Sequence, residues 1–259
     1  MIEEPYRWVE AIANRAEYIE TQLAAGSPIV ALGYRDGILF LTLGKTGQKL
    51  FEIYDRIAMG AIGHPGDIER LRMAAIELAS AEGFTRSAAD VSLRRLAHYS
   101  LSPVLKTAFE QVYGAPYLAR LLFAEIGNKP ETDLFLRLDY DGAIATNNVT
   151  FAQTRQDFGV LSGTRQSSEL MEKYLAGEHS ATATFDRAIK LALDAWTVGQ
   201  LALGEGGLKE LPARDKILAE RKDRLRAAGI EAAVLDRDDK TAIRYRALTE
   251  PEIRSALGD

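Results

Sequence analysis

The sequence predicts an α+β protein with two antiparallel sheets inside and a pair of helices on each outer face. Three observations lead there. Strand hairpins come first, then two adjacent helices, then strands, then two more helices, then strands. That order lacks the strand–helix alternation of a parallel sheet, and paired helices between blocks of antiparallel strands close into a layered sandwich. An amphipathic helix also stands ahead of the first strand.

Pro5 suits the first turn of that helix, where its missing N–H would be unsatisfied in any case. Trp8, Ile12, Ile19 and Leu23, with Ala16 filling in, recur at steps of three and four and make one apolar stripe. Gly26 stops the helix, and Pro28 pushes Ser27 toward extended geometry. Two apolar runs, residues 29–34 and 38–40, flank Asp36-Gly37, a strong hairpin signal. Residues 42–49 read as a loop, and residues 50–54 and 57–62 as two strands around Asp55-Arg56. Asp67 is suited to cap a helix in which Ile68, Leu71, Ala75, Ile76 and Leu78 repeat up to Gly83. A second helix begins near residues 87–90, carries Leu93, Leu96, Leu105, Phe109 and Val112, and should be kinked by Pro103.

Strands return at residues 117–126 and 133–140, and weaker extended segments at 143–151 and 158–163. A short helix over 169–176 and a long one over 182–203 follow. Residues 211–228 form a highly charged helical segment, read most simply as a solvated surface helix. Residues 230–235 and 242–248 make the last strand pair, and Thr249-Glu250-Pro251 starts a final helix.

At 259 residues the chain has ample length for a sizeable core. The formal net charge of −5 is spread along the chain, so nothing argues for nucleic acid or an anionic membrane as partner. With no cysteine, disulfides, thiolate metal sites and cysteine nucleophiles are excluded. The acidic start Met1-Ile2-Glu3-Glu4 lacks the apolar core of a signal peptide, and no run approaches the ~18 apolar residues of a membrane span. A cytoplasmic protein is the simplest expectation.

Chemical motifs are weak. Gly44-Lys45-Thr46 lacks the glycine that a phosphate loop needs five residues earlier, where Leu39 stands. His64, His98 and His179 have no second ligand at metal-binding spacing; His98 could pack on its helix, and the other two are expected solvated in loops. No Gly-x-Ser-x-Gly elbow occurs, and Ser162 sits in a turn before a helix. The pairs Glu3/Glu4 and Asp238/Asp239 fit a helix start and a hairpin turn. The residues alone predict no catalytic site, no cofactor and no metal.

A family resemblance adds to this. The run Glu17-Tyr18-Ile19-Glu20-Thr21-Gln22-Leu23-Ala24-Ala25-Gly26-Ser27, an apolar strand, and Arg35-Asp36-Gly37-Ile38-Leu39-Phe40 resembles the start of 20S proteasome α-type subunits, most of all those of actinobacteria. The likeness continues through Gln48–Arg56, Gly60-Ala61-Ile62-Gly63, Leu122–Gly127 and Asp139-Tyr140-Asp141-Gly142. It covers roughly residues 5–205 and 230–257, and its specificity lies in order and spacing rather than in one sharp motif.

The resemblance implies the four-layer αββα sandwich of N-terminal-nucleophile (Ntn) hydrolases with an extra N-terminal helix. It implies one domain over residues 1–259, with 5–25 as a ring-contact helix and 206–229 as a charged helical insertion. β-type members begin with a threonine nucleophile whose own amine is the base; α-type members keep the extra helix and do no chemistry. Here that helix is present, the nucleophile position reads Gly26-Ser27-Pro28, and Leu43 stands where the catalytic aspartate is expected. Lys49 matches the β-type catalytic lysine, and equally an α-type lysine that receives the C-terminal carboxylate of an activator ATPase between neighbouring subunits. Gly26 and Gly63 match glycines near that pocket, and both also fit plain turn geometry.

The expected role is therefore a non-catalytic subunit of a homo-heptameric ring. The ring gates substrate entry to β-type partners for protein degradation and docks ATPase tails. Trp8, Ile12, Ile19 and Leu23 are the expected ring contacts. The alternatives are a self-processed hydrolase using Ser27, and a ring scaffold without β-type subunits. The short segment ahead of Pro5 implies a minimal gate, one built differently, or a pore left largely open.

Overall fold

Strands whose side chains alternate between two apolar surroundings make the centre of the molecule. The computed structural model describes residues 5–44, 47–111, 113–146, 156–204, 207–238 and 244–258. Helix α1 (Pro5–Leu23) precedes β1 (Ile29–Tyr34), β2 (Gly37–Gly44), β3 (Leu50–Tyr54) and β4 (Ile57–Gly63). Then come α2 (Pro65–Thr85), α3 (Leu93–Arg95), a π-helical stretch Leu96–Leu101 and α4 (Ser102–Glu110). Strands β5 (Ala119–Glu125), β6 (Leu134–Leu138), β7 (Ile144–Thr146) and β8 (Phe158–Leu161) follow. The chain continues through α5 (Arg165–Glu178), α6 (Phe185–Leu203), α7 (Arg214–Ala227), β9 (Gly229–Asp236), β10 (Tyr245–Ala247) and α8 (Glu250–Leu257).

Two five-stranded antiparallel sheets result, in the orders β10-β9-β2-β1-β8 and β3-β4-β5-β6-β7. Because side chains alternate along a strand, each sheet serves two layers. Ile29, Ala31, Ile38 and Phe40 of the first sheet meet Ala58, Ile62, Leu122, Ala124 and Phe135 of the second. Val30, Leu32, Leu39 and Leu41 point outward to Met171, Ile189, Leu193 and Trp196 of α5 and α6. Met59, Ala61, Leu121 and Phe123 point outward to Leu71, Ala75, Leu96 and Leu105 of the other helical layer. This is the expected α+β sandwich, αββα in cross-section.

Several local expectations change. Strand β2 runs on through Gly44, pairing with β9 as far as Gly229, so residues 42–44 are strand and not loop. Asp67 is no cap: α2 starts at Pro65 behind His64, and the Asp67 carboxylate accepts the Leu118 N–H at 3.0 Å. The second helix runs without a gap from Leu93 to Glu110, and the disturbance expected at Pro103 takes the form of the π-helical stretch ahead of it. The Ser102 N–H bonds five residues back to Ala97, just before Pro103, whose ring leaves the next turn without a donor. His179 is not solvated; its Nε2 lies 2.8 Å from the Gly33 carbonyl and its ring meets the edge of Phe158. His98 is exposed. The expected extension of β7 to residue 151, Lys45 and Thr46 beside Gly44, and residues 1–4 fall outside the described residues.

Helix α1 divides its stripe. Ile19 and Leu23 are buried within this chain against Tyr140, with Phe109 and Leu118 alongside. Their burial removes them from the expected set of ring contacts: a side chain closed off by its own fold has no surface left for a neighbour. Trp8 is 44% exposed and Ile12 half-buried, so the free part of the stripe is the first half of the helix.

Candidate functional site

The residues singled out from the sequence gather at the end of the sandwich where α1 runs into β1. Pro28 forces the extended turn, and Ser27 Oγ donates to the Leu43 carbonyl at 2.7 Å. Beside it the Thr42 hydroxyl donates to the Pro28 carbonyl at 2.7 Å. The hydroxyl at the nucleophile position is thus held by a main-chain acceptor. The Ser27 nitrogen is a peptide nitrogen continuous with α1, so it has no amine lone pair to act as base.

Lys49 precedes β3, its carbonyl accepting the Ala61 N–H at 3.0 Å. Its ammonium lies next to Gly44, where an added Cβ would be 3.9 Å from Nζ. Burial lowers the Lys49 pKa, and the nearby Glu231 carboxylate opposes that shift. Glu231, on β9, also clamps the main chain. Its carboxylate accepts the Lys49 N–H at 3.0 and 3.1 Å and the Leu50 N–H at 2.9 Å. A cleft of about 410 Å³, lined by Gly44, Gln48, Leu50, Glu231 and Tyr245, opens beside it.

Gly26 and Gly63 flank the same end of β4. A Cβ at Gly26 would sit 3.1 Å from Ile62 Cδ1, so α1 ends in close contact with β4. Gly63 has φ +136°, and a Cβ there would strike the Leu118 carbonyl oxygen at 2.0 Å. Close backbone approach therefore accounts for Gly63, while Gly26 is closed in by the Leu23 carbonyl and the Ile62 side chain. Lys49, Gly26 and Gly63 do come together, around residues 61–63.

The residue that ties this end together was not among those expected. Arg120, only 5% exposed, donates from Nε to Asp139 at 2.9 Å, from Nη1 to the Gly163 carbonyl at 2.8 Å and from Nη2 to Glu20 of α1. The Tyr140 hydroxyl donates to the same Glu20 oxygen at 3.0 Å. Gly163 N–H in turn donates to the Gly26 carbonyl at 3.2 Å. Arg15 adds a second anchor, capping the last carbonyls of α4 at Ala108 and Phe109. The sequence carried a signal: an arginine inside the apolar run Ala119–Glu125 needs a buried partner. Glu231 inside β9 carried the same one.

Chemically, the site holds a positioned ammonium beside a small cleft, with a carboxylate fixing its backbone. Among the described residues no group of three or more His, Asp or Glu could hold a metal ion, and no helix is long and apolar enough to cross a membrane. No family model matches the chain. Individual relatives do. The chain is 34% identical over 230 residues to a protein of Streptomyces griseus named "Proteasome subunit alpha", spanning 88% of this chain and 74% of that one. A protein of the same name from Streptomyces coelicolor is 33% identical over 88% of this chain and 79% of its own. Another, from Streptomyces avermitilis, is 30% identical over 96% of this chain and 87% of its own.

Proposed function

The chain belongs to the proteasome α-subunit family, and from that premise we propose that it is a non-catalytic subunit of a cytoplasmic heptameric ring. The ring caps a ring of β-type subunits and restricts the entry of proteins to be degraded. The observation that carries the reading is the fixed junction at Gly26-Ser27-Pro28. Arg120 and Glu20 hold α1 over the place where a free terminal nucleophile would have to emerge, and Ser27 Oγ is spent on Leu43. The alternative, a hydrolase self-processed at Ser27, would need cleavage behind Gly26 to free the Ser27 amine, and in the uncut chain the Ser27 hydroxyl is engaged with the Leu43 carbonyl.

In a closed cyclic ring each interface is heterologous, so one face of α1 meets a different face of the next subunit. Trp8 and Ile12 supply the apolar part of that contact. Lys49, with Gly26 and Gly63 beside it, receives the terminal carboxylate of an ATPase tail; a compact ammonium at a cleft edge suits one carboxylate. Glu231 keeps the Lys49 backbone in register for this.

Co-expression with a threonine-nucleophile β-type partner tests the assembly. The full chain should give stacked seven-membered rings by negative-stain imaging and retain residues 1–26 by intact mass. Deleting residues 1–25 should abolish those rings; heptamers from the truncated chain would sink the role given to α1. Lys49→Ala should cut stimulation by an ATPase tail peptide about tenfold while leaving assembly intact, on the ~1.5–3 kcal/mol of a charge-assisted bond. Unchanged stimulation would remove Lys49 from the pocket.

A further inference from the structure

The charged segment at residues 211–228 takes no part in the ring reading. Its helix, α7, has a single buried side chain, Ile217, which packs with Leu170, Val198 and Ala202. One ion pair adds to this, Arg221 Nη1 to Asp194 Oδ1 at 2.7 Å. Burial raises the Asp194 pKa, with Arg221 acting against it. The other flank of α7 faces α8 across an open cleft of about 820 Å³. That size lies within the range of ordinary binding clefts, roughly 300–1,000 Å³.

The cleft has an apolar floor and a basic rim. Leu218, Leu225, Ile230 and Leu257 line the floor, and Leu218 is 39% exposed. At the rim Lys222 and Arg226 are exposed and make no ion pair with any described carboxylate. Arg254 joins them from α8, paired with Glu250. Two unpaired cations over an apolar floor are a distinctive combination in a chain of net charge −5. The floor also has a length. Leu218 and Leu225 stand two helical turns apart, roughly 10 Å at about 1.5 Å per residue.

We propose that the α7–α8 cleft docks an acidic amphipathic helix of about two turns from a partner protein. Its apolar residues at helical spacing lie on Leu218, Leu225 and Leu257, and its carboxylates meet Lys222 and Arg226. This is the helix-in-groove mode, with rim charges selecting the partner. A second copy of this chain is the poorer occupant. Two-fold pairing of the clefts would bring the two basic rims onto the same interface.

Fluorescence anisotropy on the full chain tests this. The probe is a labelled peptide with leucines at helical spacing on a glutamate background, beside a matched peptide on a lysine background. The glutamate peptide should bind saturably and weaken with added salt, and the lysine peptide should not bind. The double variant Lys222→Glu/Arg226→Glu should lower affinity at least about tenfold. Leu218→Ser should weaken binding without removing its salt dependence. All three side chains are exposed, so circular dichroism should match the parent. Absence of saturable binding, equal binding of the lysine peptide, or affinity unchanged in both variants would each overturn the proposal. So would concentration-dependent self-association that the peptide competes away, which would make the cleft a self-interface.

Discussion

Two arginines close the sandwich at its opposite ends, and they do so differently. At the end where α1 meets β1, Arg120 reaches Glu20 and Asp139, whose side chains keep 45% and 29% of their exposure. At the far end, Arg237 forks onto Asp133, 1% exposed, with both Nη–Oδ distances at 2.8 Å. Arg237 Nη1 also donates to the Gly127 carbonyl, and Asp133 Oδ1 accepts the Gly127 N–H. In the far pair the carboxylate is sealed and the guanidinium keeps 12% of its exposure, joining β9 to the β5–β6 connection. In the near cluster the guanidinium is buried while both carboxylates reach the surface, and it joins the sheets to a helix that also has an exposed half. A sealed pair fixes the fold, because losing one partner strands a buried charge. A cluster open to water can lose a member and let the rest rehydrate, so it fixes a position.

Three variants probe the two ends, in descending size of effect. Asp133→Ala strands the Arg237 guanidinium and the Gly127 N–H, and should cost about 3–5 kcal/mol in urea unfolding. Arg120→Ala should cost less, about 1–3 kcal/mol, and act locally. Hydrogen exchange should quicken in residues 15–27 while β1 and β2 stay protected. A loss equal to that of Asp133→Ala would erase the distinction between the ends.

The smallest effect concerns pH at the far end, where His179 bonds the Gly33 carbonyl and faces Asp157. Burial lowers the His179 pKa, against the opposing pull of that bond and of Asp157. A histidine kept neutral in the fold binds its proton more readily when unfolded. Its contribution is therefore complete above the unfolded value, about 6.5, and is lost as pH falls below it. His179→Gln keeps a donor for Gly33 and does not titrate. The melting temperature of the parent should fall more steeply than that of the variant between about pH 7.5 and 5.5; parallel curves would refute this.

What was legible in the sequence was what is local. The hairpin around Asp36-Gly37, the strands around Asp55-Arg56 and the helix irregularity ahead of Pro103 follow from turn chemistry and a missing N–H within a few residues. The layer order followed from the succession of these elements. Lys49, Gly26 and Gly63 came from a family likeness, and their gathering around β4 needed the fold. The stripe on α1 shows which face is apolar but not what covers it, so it points Ile19 and Leu23 outward although Tyr140 covers them. Arg120 meets Glu20 across 100 positions, and Glu231 meets Lys49 across 182. No local pattern spans such distances; the only trace is a charge inside an apolar strand.

The divided helix has an optical consequence. The chain has two tryptophans, Trp8 on the open half of α1 and Trp196, 3% exposed, in the core between α6 and the first sheet. The first indole emits from water and the second from an apolar interior, so the two bands separate without any label. Burial of Trp8 against another molecule shifts the red band toward the blue, while the Trp196 band stays in place until the core melts. A Trp8→Phe chain keeps only the core signal, so docking and unfolding become two colours in one cuvette.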